Sequence, residues 1–224
     1  MTGVYERALG GEAEALHPMV RDRYALDSDD PAVCVGRGEM DISRGTHVLP
    51  ALYAMTAEDL LFPEAGHDVP FAVTTAGYRS EAGHEVLTTR REFVFPGRRR
   101  RFDSSTVWDA GNDRLLDFLG RMGRIATELH PRVEAGALVV EAGRQWLHVG
   151  DRYVPLPEAL AASVEVRDRY DEADERFHVL ATVENPLAGH ILSYRGSFTQ
   201  ETRAVDSVPD DLRLDPGLST LPPA

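Results

Sequence analysis

The chain has 224 residues, of which 42% are hydrophobic and 27% charged, ordinary values for a globular domain. Its formal net charge of −13 disfavours nucleic-acid phosphates and anionic membrane surfaces as partners. The single cysteine, Cys34, excludes an intrachain disulfide and a thiolate metal cluster, and it favours a reducing, cytoplasmic setting. No apolar run approaches the ~18 residues needed to span a membrane. These values do not indicate an oligomeric state.

Helical spacing of apolar residues marks the beginning of the chain. Residues 3–25 show this spacing, with breaks at Gly10-Gly11 and His17-Pro18, since glycine and proline interrupt helices. A second helical stretch is expected at 49–61.

The remaining predicted elements are strands, because apolar residues alternate with polar ones and turn signals recur about every ten residues. Strands and helices do not alternate, so a parallel sheet is not expected. The fold class is therefore α+β, with a single strongly curved antiparallel β-sheet or partly closed barrel and N-terminal helices covering an edge or open end. The predicted strands are 32–44, 69–75, 85–95, 99–108, 114–119, 124–129, 137–141, 145–149, 164–170, 177–183 and 191–199.

Composition divides the chain into two parts. Residues 1–203 are expected to form one β-rich domain with an N-terminal helical segment. Residues 204–224 combine several aspartates with several prolines, a composition typical of segments that bury little apolar surface. This part is predicted to be an acidic, proline-containing flexible tail.

Short blocks follow one another in an order that resembles the bacterial family DUF4166, a domain of unknown function. The resemblance covers residues 4–201 and implies little about activity, because the family has no assigned function. The blocks are Tyr5–Gly10, Leu16–Tyr24, Gly36–Gly45, Val69–Val73, Arg91–Phe93, Phe102–Ser104, Glu134–Leu138, Val154–Pro157, Arg176–His178, Asn185–Gly189 and Tyr194–Gly196.

Familiar catalytic motifs are absent from the sequence. No Gly-x-Ser-x-Gly or P-loop occurs, and Gly36-Arg-Gly38 lacks the third glycine and the helix that seat a pyrophosphate. The eight histidines do not form the i, i+4 helical pair or the i, i+2 strand pair that brings two imidazoles to one metal. Neither a cofactor nor a metal is expected.

A cluster of arginines flanks one predicted hairpin, at Arg90-Arg91 and Arg98–Arg101. It is either an anion-binding patch or, as the net charge favours, a solvated hairpin tip. Arg91 is a separate case, because it shares the strand face of Phe93 and Phe95. A buried arginine needs a partner, for which Glu39, Asp41, Asp103 or a ligand anion are the candidates.

The hairpin at 175–198 carries polar groups on apolar faces. Strand alternation places His190 and Tyr194 on the same face as Leu192 and Phe198, and His178 on the opposite face of its own strand. Phe102, Ser104, Thr106 and Trp108 form a similar mixed face. Such faces line ligand cavities, but they also occur in ordinary cores where a hydroxyl finds a partner.

The leading hypothesis is that the sheet concavity binds a small, mostly apolar molecule. If the protein is an enzyme, it converts this molecule by cofactor-free acid/base catalysis of the cyclase or isomerase type used in biosynthesis. The alternatives are a non-catalytic small-ligand binding protein and an interaction module for a partner enzyme. The candidate catalytic residues are His178, His190, Tyr194, Glu92 and Asp103. The candidate substrate-binding residues are Arg91, Trp108, Phe93, Phe102 and Ser104.

Overall fold

The computed structural model describes residues 3–213 and 220–224. Within these residues, eleven strands form one antiparallel sheet, and ten of them close into a barrel. The predicted antiparallel, curved architecture is confirmed, and the ring is complete. The strands are β1 Ala32–Arg44, β2 Gly66–Arg79, β3 Glu85–Phe95, β4 Arg98–Asp109, β5 Arg114–Leu119, β6 Ile125–Glu134, β7 Ala137–Val149, β8 Arg152–Pro155, β9 Ser163–Asp171, β10 Arg176–Asn185 and β11 Gly189–Ala204.

Two junctions close the ring. The first strand pairs with the last, with Ala32 opposite Ala204, while its other edge pairs with β2. The first half of β7 pairs with β6 on one edge and with β9 on the other. Its second half pairs with β8, which extends outside the ring. Closure leaves the ten strands without a free edge for unwanted strand pairing.

Short helices at the start of the chain occupy part of the barrel interior. They are α1 Val4–Leu9, a 3₁₀ helix Gly10–Ala15 and α2 Pro18–Tyr24. The breaks fall where glycine and proline predict them, and the His17 ring accepts the Met19 N–H at 3.2 Å to cap α2. α1 packs on the inward faces of β3 to β6 and α2 on β9.

A second helical segment covers another part of the barrel. α3 Leu49–Met55 continues as a 3₁₀ helix Thr56–Glu58, shorter than the predicted 49–61 because Asp59 adopts a left-handed conformation with φ 51°. The chain then inserts Phe62 into the interior, with its ring centroid 4.9 Å from that of Phe93. None of the helices within the described residues is both long and apolar enough to cross a membrane.

Two hydrophobic clusters lie on opposite faces of the sheet. The inner hydrophobic cluster combines α1 with inward aromatic rings, among them Phe71, Phe93, Phe177 and Phe198. The outer cluster covers one side of the barrel wall and includes Val107, Leu116, Phe118 and Trp146. The strands between them are therefore buried on both faces, which explains their nearly continuous apolar runs.

The predicted tail reaches the outer cluster. Val208 and Leu212 are buried there, and Asp211 accepts a hydrogen bond from Arg90 at 2.8 Å. Arg114 donates to the carbonyl of Pro223 at 3.0 Å. Residues 214–219 of the predicted flexible tail lie outside the described residues, and the domain boundary at 203 stays a prediction.

Two glycines of β1 make space for an aromatic ring. A Cβ on Gly36 would lie 2.7 Å from both the Phe198 ring and the Val73 side chain. A Cβ on Gly38 would overlap the backbone oxygen of Ser197. The Gly36-Arg-Gly38 motif therefore has a packing role, because only glycine permits this approach of β11 to β1.

The substitution Gly38→Ala is expected to lower the free energy of unfolding by about 2–3 kcal/mol, since the added methyl group must displace backbone. Gly111→Ala is the control, because its Cβ would lie 3.5 Å from the nearest heavy atom, Asp109 Oδ1. That control is expected to change stability by less than about 0.5 kcal/mol. Urea denaturation of both variants measures the difference, and equal stabilities would contradict this role for Gly38.

Candidate functional site

Polar side chains interrupt the apolar interior of the barrel on the faces of β3, β4 and β5. Alternate residues of a strand face the same side of the sheet. The inward-facing residues of neighbouring strands therefore lie beside one another. α1 and β11 add a tyrosine each. We call this group the interior cluster. Its members are Tyr5, Arg91, Ser104, Thr106, Asp117 and Tyr194.

Arg91 is the cation of the interior cluster. Its Nη1 donates to Ser104 Oγ at 3.4 Å, and its guanidinium carbon lies 4.8 Å from the centroid of the Phe102 ring. Burial raises the pKa of the Tyr194 hydroxyl, and the charge of Arg91 opposes this rise. Stacking on Phe102 compensates part of the cost of removing the charge from water.

Asp117 is the carboxylate of the interior cluster. Thr106 Oγ1 donates to its Oδ1 at 2.8 Å, and Ser104 lies close enough to lower its pKa. Arg91 and Asp117 thus share Ser104 as a common neighbour. Burial raises the pKa of the Asp117 carboxyl, and the positive charge of Arg91 opposes this rise.

A tighter ion pair lies elsewhere in the interior. Arg23 Nε is 3.1 Å from Asp168 Oδ2, and the Tyr24 hydroxyl donates to the same oxygen at 2.9 Å. The Arg23 guanidinium carbon lies 4.8 Å from the centroid of the Phe198 ring and its Nη1 donates to Gln200. Burial raises the pKa of Asp168, and attraction to Arg23 opposes the rise.

Solvent reaches one side of the interior. Arg91, Phe102, Trp108 and Asp117 all belong to inward rows of the closed ring, yet their side chains are only half-buried. By contrast, Tyr194 is fully buried. Accessible space therefore borders these four residues, which we call the interior wall.

The structure brings six of the predicted site residues to the inside of the barrel, on β3, β4 and β11. They surround the interior wall or form part of it, and their assignment to ligand binding or catalysis stays a prediction. They are Arg91, Phe93, Phe102, Ser104, Trp108 and Tyr194.

Two predicted catalytic residues, His178 and Glu92, lie on the outside of the barrel. His178 alternates with the buried Phe177, and its Nε2 lies 2.8 Å from Asp174 Oδ2. Glu92 alternates with the inward Arg91 and Phe93 and is paired in register with Arg101. Strand alternation separates both from the interior wall.

His190 differs from the expectation that it shares a face with Tyr194. A bulge places Glu184 opposite His190 directly after Val183 opposite Leu192. The extra residue reverses the alternation, so that His190 Nε2 lies 3.2 Å from Ser43 Oγ. The structure therefore places His190 with outward-facing serines rather than with the interior cluster.

Asp103 is fully buried on the outer side of β4. Arg101 donates to its Oδ2, and Arg90 Nε lies 3.9 Å from the same oxygen. Burial raises the pKa of Asp103, while both arginines oppose this rise. Its backbone N–H donates to Asp59 O at 3.1 Å, so this carboxylate lies under the segment that follows α3.

Sequence reasoning missed Asp117 and Asp168. It proposed Glu39, Asp41, Asp103 or a ligand anion as the partner of Arg91, whereas Asp117 and Asp168 are the carboxylates whose ionisation Arg91 affects. The signal was present in the alternation: Asp117 shares the face of the buried Leu115. An aspartate in an apolar row of a strand indicates a buried carboxylate.

Comparison with known proteins gives the family. A family model described as "Domain of unknown function (DUF4166)" matches residues 16–198. The chain belongs to the DUF4166 family. It is also similar to the "Uncharacterized protein YndH" of Bacillus subtilis (strain 168), with 30% identity over 206 residues, 91% of this chain and 99% of that protein. No solved structure matches the chain.

The DUF4166 match extends from Leu16, just before α2, to Phe198 in β11. It therefore includes the ring of strands and every member of the interior cluster except Tyr5. Neither the family description nor that of its Bacillus relative names an activity.

One group within the described residues has the composition of a metal site. Ligand atoms of Asp171, Asp174 and His178 lie within 4.8 Å of one another. Asp171 Oδ2 already accepts a hydrogen bond from Arg169 at 2.7 Å, and its Oδ1 accepts the Ala173 N–H at 3.0 Å. The three side chains are therefore accounted for by a hydrogen-bonded turn between β9 and β10.

Asp117→Asn is expected to gain stability relative to the wild type as the pH rises. A carboxyl whose pKa is raised by folding stabilises the fold fully below its unfolded pKa, and this contribution is lost as the pH rises through the folded value. Asparagine is neutral throughout, so the variant does not lose it. Urea denaturation between about pH 4 and pH 8 measures the trend.

Asp113→Asn is the control for this experiment. Asp113 precedes β5 and is exposed, so we expect its substitution to change stability by a similar amount at every pH. An Asp117→Asn variant that loses stability relative to the wild type towards pH 8 would show that ionised Asp117 stabilises the fold.

Proposed function

We propose that this protein binds a small, mostly apolar molecule with one anionic or carbonyl oxygen against the interior wall of its barrel. The observation that carries the proposal is that Arg91, Phe102, Trp108 and Asp117 are only partly buried inside a closed ring of strands. Concave, mainly apolar surfaces with a few convergent polar groups are typical of small-molecule sites.

The coupling of the interior charges supports this assignment. Arg23 and Asp168 contact each other directly at 3.1 Å. Arg91 instead donates to the neutral Ser104 hydroxyl at 3.4 Å, so its guanidinium keeps donors for another oxygen. A ligand oxygen at Arg91 would be held by charge-assisted hydrogen bonds.

The neighbouring rings define the remainder of the ligand. Phe102 lies under the Arg91 guanidinium. Trp108 lies further along the same strand, on the same face as Phe102. Both are half-buried and pack against the inner hydrophobic cluster. Flat aromatic surfaces of this kind bind an apolar or aromatic body.

The experiment uses 2-naphthoate, an aromatic carboxylate, and its neutral methyl ester as probes in isothermal titration calorimetry. Arg91→Gln is expected to weaken binding of 2-naphthoate by roughly tenfold to a hundredfold, the range for a lost hydrogen bond to a charged group. The methyl ester is expected to lose less affinity than 2-naphthoate, since its neutral carbonyl oxygen accepts a weaker hydrogen bond from Arg91 than a carboxylate does.

Arg99→Gln is the matched control, because Arg99 belongs to the same hairpin but is exposed. Its affinity for 2-naphthoate should equal that of the wild type. Unfolding curves recorded alongside establish that Arg91→Gln is folded. If the wild type fails to bind either probe, or if Arg91→Gln binds 2-naphthoate as tightly as the wild type, the proposal is wrong.

Acid/base conversion of the bound molecule is the second candidate function. Asp117 supports it, because burial raises the pKa of this carboxyl and a carboxyl titrating closer to neutrality transfers protons more effectively. Thr106 fixes its orientation through a 2.8 Å hydrogen bond. In this scheme Arg91 holds the substrate oxygen while Asp117 moves a proton, as an isomerase or cyclase requires.

A bacterial metabolite extract incubated with wild type and with Asp117→Asn tests for turnover. Chromatographic retention must be followed together with mass, since isomerisation leaves the mass unchanged. A compound converted by the wild type and unchanged by Asp117→Asn is the expected result for an enzyme. Identical profiles for both proteins and for a protein-free sample leave ligand binding as the function.

A further inference from the structure

A groove of about 400 Å³ lies on the outer face of the barrel. It runs across the sheet formed by β9, β10 and β11, on the side of the wall opposite to the interior cluster. We call it the outer groove. Its lining includes Asp41, Arg167, Arg169, His178, Leu180 and Arg195.

Strand register brings the basic residues together. Leu180 of β10 is paired with Arg195 on one neighbouring strand and with Arg167 on the other. In the adjacent outward row, His178 is paired with Arg169. Because paired strands lie about 4.8 Å apart, Arg195 and Arg167 flank Leu180, and Arg169 lies in the next row.

The charge of the groove differs in sign from that of the whole chain. Three arginines and a histidine line it together with one carboxylate, that of Asp41, in a chain of net charge −13. The acidic partners of Arg167 and Arg169 are Glu134 and Asp171, each at 2.7 Å, and neither of these is among the groove-lining residues.

These partnerships leave donors free for a ligand. A guanidinium has five N–H groups in a planar fork, and each ion pair here engages one side of that fork. Arg195 is the least restrained, because its side chain is 73% exposed and Asp41 Oδ2 is 3.6 Å from its Nε. The groove can therefore accept an added anion without breaking the existing pairs.

Leu180 gives the groove its second property. The side chain is 44% exposed although it lies between basic residues on both sides. An exposed leucine at the centre of a basic concavity offers apolar contact to the body of a ligand whose acid group is bound by the arginines.

We propose that the outer groove binds a small organic anion, with its phosphate or carboxylate on Arg195 and the neighbouring arginines and its apolar body on Leu180. The volume falls within the range of about 300–1,000 Å³ that is common for small-molecule clefts. This site is separate from the interior wall, because it lies on the outer face of β9, β10 and β11, whereas the interior wall lies on the inner face of β3, β4 and β5.

Phenyl phosphate is the probe, and isothermal titration calorimetry is the measurement. We expect saturable binding to the wild-type protein and at least about tenfold weaker binding to Arg195→Gln, through loss of a charge-assisted contact. Arg203→Gln is the matched control, since Arg203 belongs to the same strand, is 70% exposed and is paired with Glu201 away from the groove.

Leu180→Ser tests the apolar contact of the ligand separately from the contact of its anionic group with the arginines. It is expected to weaken phenyl phosphate several-fold and to leave the affinity for inorganic phosphate unchanged, because only the phenyl group contacts Leu180. Absence of phenyl phosphate binding to the wild type up to about 10 mM, or equal losses in Arg195→Gln and Arg203→Gln, would overturn the proposal. Both substituted side chains are exposed, so the variants are expected to fold.

Discussion

The pairing of β7 with both β6 and β9 is the constraint on which the rest of the structure depends. It converts a curved sheet into a ring and commits every second side chain of ten strands to one enclosed volume. Aromatic rings and α1 fill much of that volume. Because Gly36 and Gly38 have no side chains, Phe198 fits against β1. The polar residues that remain inside must then satisfy one another.

The interior charges are balanced in two different ways. Arg23 and Asp168 form a direct pair, joined by the Tyr24 hydroxyl, and such a pair is best understood as a structural element of the core. Arg91 instead donates to the neutral Ser104 hydroxyl and affects Asp117 through its charge. Their looser arrangement coincides with the partly exposed part of the wall, which is why binding is proposed there and not at the Arg23 pair.

Alternation and turn chemistry predicted most of the fold, since each strand interior and each break follows from local residues. The sequence predicted a partly closed barrel, but not which strands close it, because that depends on pairing between strands far apart in sequence. The same limit applies to the site. Arg91 shares a strand face with Phe93 and Phe95, which indicates a buried cation. Its proximity to Asp117, however, depends on β4 lying between β3 and β5. His190 was misplaced by a single bulge, which alternation alone does not reveal.

The pairing of β1 with β11 has a consequence for how the chain acquires its structure. Ala32 and Ala204 are partners in the finished ring, so a nascent chain exposes an unpaired β1 edge until β11 has left the ribosome. Contacts of such high sequence separation are slow to form, and open strand edges favour aggregation in the meantime. Yield at different translation rates or chaperone levels, rather than equilibrium stability, is therefore the property most sensitive to this topology.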